Sequence, residues 1–156
     1  MAFKLSQRSF QRLVGVQPQL VETVKLAINY TTVDFGVIYG VRDLATQEKL
    51  FKSGKSQTMK SKHLIQDDGY SHAVDLMAYD SGEPSWDIVD YWAIADSMKK
   101  ASQETGITLR WGASWHIDSI NSWDKNMEDA YNDYVDLRRS QGRTPFIDGP
   151  HFELNE

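Results

Sequence analysis

Two hydrophobic periods run through this chain and never settle into a regular strand-helix-strand alternation. Leu20, Val21, Val24, Ala27 and Ile28 recur at helical spacing behind Pro18, whose fixed φ suits a first helical turn, so a helix is expected over residues 18–29. Val33, Phe35, Val37 and Tyr39 then alternate, as in a strand with one face toward a core. A second helix is expected over 44–53, with Leu44, Gln47, Leu50 and Phe51 on one face and Gly54 as its stop. Residues 73–79 form the next strand, ended by the turn-forming cluster 80–84. A third helix is expected over 86–104, with Ile88, Val89, Trp92, Ala95 and Lys99 along its face and Gly106 closing it. Then come a short strand over 107–111, a helix containing Met127, Tyr131, Tyr134 and Val135 that stops at Gly142, and a final strand pair over 146–154 broken at Pro150. This order indicates an α+β fold with a small, mostly antiparallel sheet flanked by helices.

With 156 residues, 40% of them hydrophobic and 12% aromatic, the chain has the material for one domain, 1–156, whose core needs no covalent staples. It contains no cysteine, which removes disulfide frameworks, thiolate zinc sites and cysteine nucleophiles together. Neither a cleavable signal nor a spanning helix is visible, so the expectation is a soluble chain made in the cytoplasm, without membrane insertion. A formal charge of −5 and the lack of a basic stripe argue against nucleic-acid binding. Residues 55–71 are polar, include Gly69 and keep no sustained period, which reads as a long loop of the kind that carries function.

The four histidines are His63, His72, His116 and His151. A catalytic zinc takes about three ligands from His, Asp or Glu and keeps one position for water. Two segments offer such ligands: Ser61-Lys-His63 leading into Ser71-His-Ala-Val-Asp75, and Asp148-Gly-Pro-His151-Phe-Glu153. Strand alternation sets Asp75 with Ala73 on one face and His72 with Val74 on the other, so if Asp75 is a ligand His63 is its better partner. In the last strand His151 and Glu153 share a polar face while Phe152 and Leu154 face inward. Asp148 sits at a Gly-Pro turn beside them, where a carboxylate can take the proton of zinc-activated water and pass it to a leaving amine. Glu153 stays open between orienting a ligand histidine and an edge carboxylate, and Trp111, Trp115 and Trp123 between substrate stacking and packing. The oxygen-rich run from Asp118 to Asp129 lacks the spacing of a calcium loop and reads as a solvated helix start.

Ser61-x-His63, Ala73-Val-Asp75 and Asp148-x-Pro-His151-Phe-Glu153 together resemble the M15 metallopeptidases. These include D-alanyl-D-alanine carboxypeptidases and dipeptidases, and phage endolysins that cut the L-alanyl-D-glutamate bond of peptidoglycan. Gly40-Val-Arg42, Gln47, Leu50, Gly54, Ser56, Thr58 and Ser61 are similar to the endolysin branch, and Gly15-Val16 and Trp111-Gly112-x-x-Trp115 extend the likeness over nearly the whole chain. The resemblance implies a D-Ala-D-Ala carboxypeptidase/hedgehog-like domain, zinc held by His63, Asp75 and His151, and Asp148 as catalytic acid/base. It also implies that Arg42 polarises the scissile carbonyl and stabilises the developing oxyanion. The interval from His63 to Asp75 is longer than the family's; an insertion around 66–70 accounts for it, and a register with His72 in place of His63 stays open. Bacterial peptidoglycan is the implied partner of a monomeric phage or prophage endolysin, made in the host cytoplasm and acting on the periplasmic wall after release. A carboxypeptidase or dipeptidase of the same family, and a non-catalytic wall-binding module, are the alternatives.

Overall fold

The structure is a computed structural model describing residues 3–56 and 58–155; Gln57 of the expected 55–71 loop and the ends of the 1–156 domain lie outside it. Among the described residues the elements are α1 (Gln7–Arg12), α2 (Pro18–Tyr30), β1 (Asp34–Tyr39), α3 (Leu44–Lys52), β2 (Ala73–Asp80), β3 (Glu83–Ser85), α4 (Ile88–Thr105), β4 (Leu109–Trp111), α5 (Met127–Ser140) and β5 (His151–Leu154). The strands form one sheet of order β1-β2-β5-β4, with β3 against the outer half of β2 and every strand pairing antiparallel. This is the α+β architecture expected from the sequence.

The core forms where the apolar stripes meet. Gln17 caps α2 by accepting from the backbone N–H groups of Gln19 and Leu20, and Pro18 occupies the first turn. Leu20, Val24 and Ala27 are thereby buried as α2 packs along α4. Val74, Leu76 and Ala78 of β2 join the same core with Phe152 and Leu154 of β5, while Asp75 and Ala73 turn to the opposite face. Each of the larger of these side chains, Leu, Val and Phe, contributes about 1.5–3 kcal/mol on burial, so this core fixes the strand register that places the site.

Several expectations are corrected. The buried stripe of α4 is Tyr91, Ile94, Ala95, Met98 and Ala101, and Val89 is exposed. The helix is turned this way because Tyr91 reaches the sheet: its hydroxyl donates to the Ser85 carbonyl at 2.8 Å and accepts from the Ala78 N–H at 3.2 Å. On α3 only Gln47 is buried, while Leu44 and Phe51 are exposed and Leu50 borders an open cleft. The expected strand pair over 146–154 is a single strand, β5, preceded by irregular chain. Helix α1 was not anticipated, nor was β3, which folds back onto β2 because Ser81 and Gly82 both take positive φ in a two-residue hairpin turn.

Candidate metal centre

Three parts of the chain converge on the open face of the sheet. Asp75 in β2 and His151 at the start of β5 are directly paired across the two strands, which puts both side chains on one face. His151 Nδ1 lies 3.1 Å from Asp75 Oδ1, and His63 Nε2 lies 3.2 Å from the same oxygen. All three residues are buried, and their ligand atoms lie within 4.8 Å of one another.

His63 is delivered by the loop and held by backbone bonds. Arg42 N–H donates to the His63 carbonyl at 2.9 Å, and His63 N–H donates to Ser61 Oγ at 3.1 Å. Its Nδ1 lies 2.7 Å from the Gly40 carbonyl oxygen. A carbonyl can only accept, so Nδ1 carries a hydrogen and Nε2, toward Asp75, is the nitrogen open to a metal. Gly40 has to be glycine for this approach, because a Cβ there would stand 2.2 Å from the Arg12 carbonyl oxygen. The expected insertion at 66–70 is a small closed turn: Gln66 N–H donates to the Tyr70 carbonyl, Gly69 N–H donates to that of Gln66, and Ile65 bridges Ser71. It returns the chain to β2 with His63 beside Asp75. His72 points away, its Nε2 2.7 Å from Asp68 Oδ2.

A second ring of residues holds the first. His151 Nε2 donates to Glu153 Oε1 at 2.8 Å, which leaves Nδ1, on the Asp75 side, as the nitrogen a metal would take once its proton is lost; Glu153 therefore orients this histidine. Asp148 lines the same cleft. Its N–H donates to the Gly112 carbonyl, whose own N–H donates to the His151 carbonyl, both at 2.8 Å. Trp111, buried in the core, donates from Nε1 to the Gly149 carbonyl and steadies the same turn. Arg42 donates from Nη1 to Gln47 Oε1 at 2.8 Å and holds Nη2 3.8 Å from Asp75 Oδ2. The role of Gln47 was not foreseen. Fully buried, it also donates from Nε2 to Ser56 Oγ and to the Thr58 carbonyl. Its sequence signals were an amide on an otherwise apolar helix face and a place in the stretch that resembles the endolysin branch. Of the tryptophans, Trp115 enters the cleft against Phe146 and His151, whereas Trp123 packs near His116, which pairs with Asp133 away from the site. The oxygen-rich run ends as a helix start, with Asn126 capping α5.

The electrostatics are those of a cation site. Burial alone would push Asp75 up, but His63 and His151 overcome it and hold the carboxyl far below its usual range. Burial disfavours a charged His151, yet its bonds to Asp75 and Glu153 push it up to about 10. Asp148 is pushed up by burial and by the Asp75 charge, against the opposing pull of His151, His63 and Arg42. The residues fit a metal. His63 Nε2 is buried without a hydrogen-bond partner among the described residues. The 3.1 and 3.2 Å separations also match the roughly 3.3 Å edge of a tetrahedron with metal-ligand distances of about 2.0 Å.

A buried His-Asp-His cluster on an open sheet face, with an acid of raised pKa and an arginine beside it, fits a metallopeptidase. The chain belongs to the phage L-alanyl-D-glutamate peptidase family, whose model matches residues 1–155. It is 32% identical over 159 residues to the L-alanyl-D-glutamate peptidase of Escherichia phage T5, covering 99% of each chain. Among solved structures it is similar to the L-Ala D-Glu endopeptidase ChiX of Serratia marcescens, with a TM-score of 0.70 and 31% identity over 98% of this chain and 90% of that one. Among the described residues no helix is long and apolar enough to cross a membrane.

Proposed function

We propose that the chain is a zinc-dependent endopeptidase that hydrolyses the L-Ala-D-Glu bond of peptidoglycan stem peptides, as a phage or prophage endolysin. The observation that carries the reading is the buried triad of His63, Asp75 and His151 in one cleft with Asp148, in a chain matched end to end by relatives named for that bond. The ligands are His63 through Nε2, Asp75, and His151 through Nδ1; three protein ligands leave a position free. Zinc bound there supplies Lewis acidity, lowering the pKa of water to about 7 and polarising a carbonyl.

The chain's own groups do the rest. Asp148, with its raised pKa, takes a proton from the attacking water and returns it to the D-Glu amine as the C–N bond breaks. Arg42, held by Gln47, offers its guanidinium where the carbonyl oxygen gains negative charge. Glu153 keeps His151 in the ligating tautomer. The reading is completed by a monomer with one peptidase domain, made in the host cytoplasm and reaching the periplasmic wall after release.

Asp148→Ala tests the assignment. It is expected to retain zinc and to lose about 10²-fold or more in kcat. Mass spectrometry of wild-type peptidoglycan digests is expected to find new amino-terminal D-Glu fragments. Release of free D-alanine would favour the carboxypeptidase alternative, and wild-type lysis by Asp148→Ala would remove the proposed acid/base.

A further inference from the structure

The cleft over the metal centre encloses about 860 Å³ and is polarised by charge from wall to wall. One wall is built from residues 39–56 and 58–63 and contributes Arg42, Lys55, Lys60 and Lys62, with one carboxylate, Asp43. That carboxylate is already engaged, since Asp43 Oδ1 accepts from the Thr46 N–H at 2.7 Å and caps α3. Among the described residues Arg110 lies 5.2 Å over the Trp115 ring outside the cleft lining, and the facing wall contributes no lysine or arginine to that lining. It offers Trp115 and Phe146, stacked with ring centroids 6.2 Å apart, beside Asp148 and Glu153. In a chain of net charge −5, four cations gathered on one side of one cleft form a segregated field.

Two of the four are committed. Arg42 serves Gln47 and Asp75, and against burial, which pushes Glu153 up, Lys62 adds its charge to the larger effects of His151 and Arg110 that hold this carboxyl below the usual carboxylate range. Lys55 and Lys60 form no ion pair among the described residues, although their backbone is pinned: Lys55 N–H donates to the Leu50 carbonyl and Lys60 N–H to Thr58 Oγ1, both at 2.9 Å. Gln47 ties Ser56 and Thr58, between them, to α3.

The substrate of the reading above is polarised in the same way, and the inference rests on that reading. A glutamate acylated on its amine by L-alanine has two carboxyls and can continue the peptide through only one. The other carboxylate stays free beside the scissile bond on the leaving-amine side, whereas the L-alanine on the acyl side brings no charge. We propose that Lys55 and Lys60 form a specificity-determining subsite for the free carboxylate of the D-glutamyl residue. The D-glutamyl residue then lies with its free carboxylate toward Lys55 and Lys60, while its amine stays within reach of Asp148 and the scissile carbonyl within reach of Arg42. Each lysine acts as an exposed point charge, so its effect is modest and salt-sensitive.

The test uses the zinc-loaded full chain and two N-acylated L-Ala-D-Glu-L-Lys probes that differ only in whether the non-peptide carboxyl of the glutamyl residue is free or a carboxamide. Wild type is expected to favour the free acid. The double variant Lys55→Ala/Lys60→Ala is expected to raise KM for the acid about 3- to 10-fold while the KM for the amide changes less than about twofold, so the amide probe also reports folding. Lys60→Glu should invert the preference, and Lys25→Ala, on a distant surface, should behave as wild type. Equal losses on both probes, or no charge preference in wild type, overturn the subsite while the peptidase reading stands. Failure of wild type to cut either probe at the Ala-Glu bond overturns that reading and the subsite with it.

Discussion

Glu153 never touches the metal in the proposed arrangement, yet its carboxylate decides which nitrogen of His151 can. Glu153→Gln keeps a hydrogen-bond acceptor in place and removes the charge that fixes the tautomer. Zinc affinity is expected to fall about 10- to 100-fold, read by competition with a chromophoric chelator; an unchanged Kd would make Glu153 a mere edge carboxylate. Gly112 has no functional group at all, but a Cβ there would stand 2.1 Å from the Asp148 carbonyl oxygen and 3.0 Å from His151 Cβ. Gly112→Ala is therefore expected to displace Asp148 and lower kcat by about 10²-fold, measured beside zinc content to separate loss of chemistry from loss of metal. At this scale much of the site was legible. Alternation along 73–79 set Asp75 and His72 on opposite faces, and the structure keeps them there. Glu153 was left open because alternation assigns a face and not a partner. Gln47 was unreadable because its purpose depends on where Ser56 and Thr58 fold back, which no local period encodes.

Among the elements, α3 links the chemistry to the cleft wall through that single amide. Gln47→Leu keeps the volume while leaving the Arg42 guanidinium and the Thr58 carbonyl short of a partner. It is expected to cost about 1–3 kcal/mol, seen as a lower urea midpoint, and to lower kcat as Arg42 loses its fixed position. Unchanged stability and rate would show that the wall is held by other contacts. Helices α2 and α3 begin where their periods and Pro18 or Asp43 set them, because a helix start is a local decision of capping and φ. The inward face of α4 was only partly legible for a physical reason: Ile88, Trp92 and Ala95 of the expected face do pack against the core, but Tyr91, Ile94 and Met98 on the adjoining stripe lie deeper and Val89 is exposed, so periodicity alone had two answers. The choice falls to the Tyr91 hydroxyl and its partners in β2 and β3, which lie far off in the local pattern. Phe146 and Ile147 imitated a strand because cleft-facing apolar residues and core-facing ones look alike in sequence.

For the molecule as a whole, the triad joins a loop, β2 and β5, so the proposed zinc would bind the native state and bring its affinity to folding. Free zinc at about 100 times Kd adds roughly 2.7 kcal/mol, or about 5–10 °C in Tm for a chain of this size. The pH dependence has a definite sign. His151 in the metal-free fold titrates near 10, above its ordinary 6.5, so its own stabilising contribution is full below about 6.5 and is lost as pH rises through 10. To ligate, it must give up that proton. Across neutral pH each zinc bound therefore displaces about one proton from His151, and apparent affinity tightens about tenfold per pH unit. Raising the pH weakens the metal-free protein and strengthens zinc binding together, so the Tm difference between zinc and chelator is expected to be larger at pH 8 than at pH 6. Differential scanning calorimetry at matched free zinc reads this directly, and a difference that stays flat or shrinks with pH would mean that His151 does not enter the site as a neutral ligand.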